Sequence, residues 1–163
     1  MSESSFSKIA RFIRDIGLDL EFRPIDTPTF LPGIHIENGV VQADPEKLLY
    51  PGDLLHEAGH LALLPSEERK KITGNVEPGD NKQNSLEMGV ICWTWAAILH
   101  LDIDPTVVFH KAGYHGASNY YIQMFSTGQF IGLPVLQWME LCKHQSDTSD
   151  LEPFPHMVKW IRD

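Results

Sequence analysis

The chain has 163 residues, 42% of them apolar, which suffices for one domain with a core of its own. Its 13 basic and 22 acidic side chains give a formal net charge of -9. Phosphate binding rests on clustered Lys and Arg, so this balance argues against a nucleic-acid surface. The one local basic cluster, Arg69-Lys70-Lys71 behind Glu67-Glu68, reads as the solvated face of a short helix.

Phe6, Ile9, Ala10, Ile13 and Ile16 recur at helical spacing and predict an amphipathic helix over residues 5–17, ended near Gly17. Leu20 to Pro24 alternates and reads as a short strand. Two prolines between Asp26 and Gly33, Pro28 and Pro32, make that stretch a loop. Ile34-His35-Ile36 and Val40-Val41 flank Asn38-Gly39, a hairpin signal within 33–44. Pro51 and Gly52 then open a helix that runs to Leu64, where Pro65 stops it. A further short helix is expected over 66–72, a turn-rich loop over 74–80, and a long helix from about Gln83 to Leu101. Asp104-Pro105 has the form of an N-cap followed by proline at the first helical position. Two more helices are expected near 117–127 and 134–144, then a polar tail over 145–153, with Met157 to Ile161 packing back on the domain. Cys92 and Cys142 lie in apolar surroundings without metal-ligand spacing and read as buried, reduced thiols. The segment Met1 to Lys8 has no apolar signal core, and the longest apolar run, Met88 to Leu99, falls short of the roughly 20 residues a bilayer needs. The expectation is a cytoplasmic chain that does not engage a membrane.

One motif carries chemistry. On a helix, residues four apart lie one above the other, so His56 and His60 of His56-Glu57-Ala58-Gly59-His60 can aim two imidazoles at one ion. Neutral imidazole is a good zinc ligand. Glu57, adjacent to these ligands, is placed to act as general base toward a water that such an ion activates. Leu54, Leu55, Leu61, Leu63 and Leu64 surround the motif, so it sits on a partly buried helix. Ordinary core histidines are the alternative. A hydrolytic zinc site needs a third protein ligand, and the best candidate is Glu87, which shares a helical stripe with Ile91, Thr94 and Ile98. The competing role for Glu87 is the third position of a capping box, Asn84-Ser85-Leu86-Glu87. His110 and His115, in His110-Lys111-Ala112-Gly113-Tyr114-His115-Gly116, are weaker candidates to approach the site, and either Tyr114 or His115 could stabilise an oxyanion, as could Tyr120. His100, His144 and His156 read as ordinary.

The HExxH pattern at 56–60 followed by Glu87 on the next helix resembles the gluzincin branch of zinc metallopeptidases. The hairpin that precedes it, Ile34 to Val41, and the pattern of Glu87, Trp93, Ala96-Ala97 and Leu99 narrow the likeness to the minimal gluzincins, including ImmA/IrrE-type proteases. The resemblance covers roughly residues 30–101. It implies a zincin-like minimal metalloprotease fold, one zinc ion per chain held by His56, His60 and Glu87, and Glu57 as general base. Ile91 stands one turn after Glu87, where gluzincins often carry an acidic residue that holds a zinc-bound histidine.

The fold class expected is α+β, a small antiparallel sheet on a mostly helical single domain over 1–163, with the metal-site core near 30–101 and a helical part over 104–163. The function expected is a zinc-dependent hydrolase, a peptidase acting on peptide or protein, with Glu57, His115 and Tyr114 as catalytic candidates. The alternative is a metal-binding regulatory or interaction module without catalysis.

Overall fold

Ser4 accepts the Ser7 N–H and so caps helix α1 (Ser5–Asp15), whose Ile9, Phe12 and Ile13 face the core. Gly17, at φ +101°, ends it: Leu18 N–H reaches back to Ile13 O and Gly17 N–H to Arg14 O, which satisfies carbonyls the last turn leaves open. The computed structural model describes residues 2–74 and 81–163, with the backbone path alone for 81–84. The expected 74–80 loop therefore lies, beyond Gly74, outside the described residues.

Three short strands follow: β1 (Leu20–Phe22), β2 (Ile34–Glu37) and β3 (Val40–Ala43), in the order β1-β3-β2. The hairpin forms as expected. Asn38 and Gly39 both take positive φ, the backbone that lets a two-residue turn match strand twist. The sheet is mixed rather than antiparallel, because β1 pairs parallel to β3 with Leu20 opposite Val41. Alternation reveals a strand but not its partner or direction. Here the direction is set by the proline-rich crossover of 24–33, tied down where Asp44 accepts the Ile25 N–H.

Helix α2 (Pro51–Ala62) starts with Pro51 in its first turn. It is more deeply buried than a one-sided helix: Leu54, Leu55, Ala58, Leu61 and Ala62 are all fully enclosed. Its C-terminal end is closed from outside. Arg69, on the short α3 (Ser66–Arg69), donates to the carbonyls of Leu61, Leu64 and Arg162. The expected solvated basic face thus holds for Lys70 and Lys71 but not for Arg69, whose fork fills the open carbonyls of α2.

Helix α4 (Asn81–Leu101) begins two residues earlier than expected and is buried on all sides from Val90 to Ile98. Asp104 accepts the Thr106 N–H as an N-cap, but what it opens is a single 3-10 turn, Pro105–Val107. Helix α5 (Ser118–Ser126) lies where periodicity places it. Helix α6 (Leu133–Trp138) is shorter than expected, because Glu140 adopts φ 60° and Leu141 N–H turns back to Leu136 O. The chain end packs back as expected: Met157 bridges to Cys142, and Trp160 O accepts the Trp93 indole N–H at 2.9 Å. Both cysteines are buried and reduced, and burial raises both thiols, Cys142 to about 11. The result is an α+β domain in which α2 and α4 form the central layer. Among the described residues, no helix is long and apolar enough to cross a membrane.

Gly52, in the first turn of α2, is pressed against the 3-10 turn. A Cβ there would lie 2.2 Å from Val107 O and 2.4 Å from Val108 Cα, both backbone atoms that cannot rotate aside. Overpacking of this kind outweighs the helix propensity gained from alanine. Gly52→Ala is expected to destabilise the domain by about 2 kcal/mol, read as a lower urea midpoint at unchanged slope.

Candidate metal centre

The burial of α2 decides what its polar residues face. Leu54, Leu55, Ala58 and Leu61 hold the helix in the core, and the remaining positions one turn apart, His56 and His60, stand on a common stripe. Gly59, beside His60, lets α4 approach closely: a Cβ there would meet the Trp93 ring at 2.9 Å and Val90 Cγ1 at 3.0 Å. Val90 lies one turn after Glu87, so this close approach brings the Glu87 carboxylate to the two imidazoles.

His56 Nε2 lies 3.2 Å from Glu87 Oε1, and His60 Nε2 lies 3.0 Å from Glu87 Oε2. The two Nε2 atoms are 3.1 Å apart. His56, Glu57 and His60 offer ligand atoms all within 4.8 Å of one another, a group that could hold a metal ion. Protons alone serve the His–His–Glu arrangement poorly. If each imidazole donates to its own carboxylate oxygen, two N–H groups face each other with no acceptor between them. A cation between the three would use all their lone pairs at once. Zinc bonds of 2.0–2.2 Å at tetrahedral angles put neighbouring ligand atoms about 3.3 Å apart, close to the separations found.

The electrostatics are those of a tightly coupled site. Burial alone would raise Glu87, but its hydrogen bonds to His56 and His60 hold it well below the usual carboxylate range. Burial pushes His56 down, yet the bond and charge of Glu87, with Glu57 and Asp53 nearby, leave it above its ordinary value. Glu57, only 8% exposed, is raised by burial, which the charges of His60 and His56 offset in part. Its side chain lines a cleft of about 230 Å³ bounded by Pro28, Leu31, Gly74 and the outer edge strand β2. Asn84 is the fourth residue of α4 rather than its cap, and the Glu87 carboxylate turns to the imidazoles, so the capping-box role for Glu87 does not hold.

Tyr114 reaches the cluster, but from behind. Its hydroxyl lies 3.1 Å from His56 Nδ1, the nitrogen on the far side of the ring from Glu87 and His60. It is therefore placed to orient His56 rather than to meet an oxyanion. Burial, then the charges of Glu87, Asp53 and Glu57, raise its phenol well above the ordinary value, so it stays protonated. Tyr114 and His115 both take left-handed backbone, at φ 55° and 52°, which costs roughly 1–2 kcal/mol per residue. His115 itself is exposed, and among the described residues it has no hydrogen bond to the cluster. Tyr120 is 56% exposed on α5.

Sequence reasoning missed how His110 is used. Its Nε2 bonds Asp53 Oδ1 at 2.7 Å, its ring stacks on Tyr50 at 3.7 Å, and its carbonyl accepts the Ser118 hydroxyl. Its Nδ1 is buried and has no hydrogen-bond partner among the described residues. Asp53 lies one turn before His56, which is the only local signal; the pairing spans 57 residues.

Comparison with known proteins adds no kinship: no family model matches the chain, and neither a curated protein nor a solved structure matches it.

Proposed function

We propose that the chain is a zinc-dependent hydrolase with a zincin-like fold, most simply a peptidase, with His56, His60 and Glu87 as protein ligands. The observation that carries this reading is the convergence of two imidazole nitrogens and one carboxylate at separations of 3.0, 3.1 and 3.2 Å. Zinc there would supply Lewis acidity, polarising a carbonyl and lowering the pKa of a water molecule. Glu57, at the wall of the cleft and raised by burial, is suited to take that water's proton and pass it to the leaving amine. An extended peptide could pair with the outer side of β2. Gly74 N–H already occupies the Ile36 carbonyl, so the edge left for a substrate is short.

The cleft volume favours one further reading. At about 230 Å³ it falls below the roughly 300–1,000 Å³ usual for ligand pockets, which suits a metal-binding interaction module without turnover. The two readings separate on a panel of unstructured proteins and peptides offered to the zinc-loaded chain. The hydrolase reading expects cleavage that a chelator abolishes and added zinc restores. Bound zinc with no cleavage across the panel, and a melting temperature that drops on chelation, would select the module.

A further inference from the structure

A zinc-binding imidazole must offer one nitrogen as a bare lone pair, which requires its proton on the other. What accepts that second N–H fixes the tautomer and the ring's aim. Carboxylates and carbonyls usually do so, and here Ile91 stands one turn after Glu87, where a carboxylate could have served. The atom that faces His56 Nδ1 is the Tyr114 hydroxyl, at 3.1 Å and with the two rings edge to face.

We propose that Tyr114 is the positioning residue of the metal centre, its phenol oxygen accepting the His56 Nδ1 proton so that Nε2 is presented to the ion. This rests on the reading of His56, His60 and Glu87 as a metal site. Three independent features aim Tyr114 there. Its backbone and that of His115 are held in the left-handed region, a strain that persists only where the surroundings fix it. Its ring is packed against Phe109 at 4.9 Å and Tyr121 at 5.8 Å. The segment that carries it is fastened to the start of α2 twice, by the Asp53–His110 bond and by the contact of Gly52 with Val107 and Val108.

The phenol also does what a carboxylate cannot. A hydroxyl both donates and accepts, so it can donate to a bare Nδ1 when the site is empty and accept from Nδ1–H when Nε2 binds a cation. The site can thus fill and empty without leaving His56 Nδ1 unpaired.

The test is zinc affinity by chelator competition for the parent, Tyr114→Phe and Tyr121→Phe, with the metal-free melting temperature of each. Tyr114→Phe keeps the ring and loses only the hydroxyl. Its zinc affinity is expected to fall about 10- to 100-fold, while Tyr121→Phe, which removes a neighbouring hydroxyl, binds as the parent does. Nitrogen-15 spectra of the zinc-loaded parent should place the His56 proton on Nδ1, a readout that stands even if Tyr114→Phe fails to fold. Unchanged affinity in Tyr114→Phe, an equal loss in Tyr121→Phe, or the proton on Nε2 would overturn the inference and leave the metal site in place. A parent that binds no zinc would overturn the metal site itself, and this role with it.

Discussion

Replacing Glu87 by glutamine is expected to cost the protein about a hundredfold or more in zinc affinity while leaving it folded. The carboxylate spans both imidazoles, at 3.2 Å from His56 and 3.0 Å from His60. An amide keeps the size and one oxygen but loses the charge and turns an N–H toward an imidazole that has no lone pair to spare. A protein-bound zinc site is worth on the order of 10 kcal/mol or more, and one of three protein ligands carries about 3 kcal/mol of it. The metal-free variant should remain folded, because α4 is held by Val90 to Ile98 rather than by residue 87. Chelator competition reads the affinity and circular dichroism the fold. Parent-like affinity in the variant would make Glu57, not Glu87, the third ligand.

Glu57→Gln is the second large effect, and it moves a different quantity. Zinc content should stay at the parent value, because His56, His60 and Glu87 remain. Turnover of any cleaved peptide should fall by about 10²–10⁴ in kcat, the usual worth of a positioned general base. The amide cannot take a proton from water. Its near-identical volume keeps the packing of a residue that is 8% exposed. Turnover equal to the parent's would remove Glu57 from the mechanism, and loss of zinc together with turnover would make it a ligand.

Much of this was legible in the sequence where chemistry is local. The i, i+4 histidines, the Asn38-Gly39 turn, the proline at the start of α2 and the Asp104 cap each act within a few residues, and each is found where the pattern puts it. Glu87 was legible as a charge heading an apolar stripe. Features set by distant contacts were not. The parallel pairing of β1 depends on a crossover that alternation cannot report. The early end of α6 rests on Glu140 in a left-handed conformation, where a glycine would have announced the stop. Arg69 read as solvated because nothing in its neighbours shows that the end of α2 and the chain terminus lie above it. Tyr114 was singled out, but its side of the imidazole was not, because that depends on Gly52 and on a bond between Asp53 and His110.

The most direct test of the metal centre is elemental analysis of the purified, untagged protein after zinc is supplied and excess removed. The arrangement of His56, His60 and Glu87 predicts close to one zinc per chain. A chain that carries no zinc or other divalent metal under those conditions would contradict it, and would leave the cluster as two half-buried histidines bonded to a half-buried carboxylate.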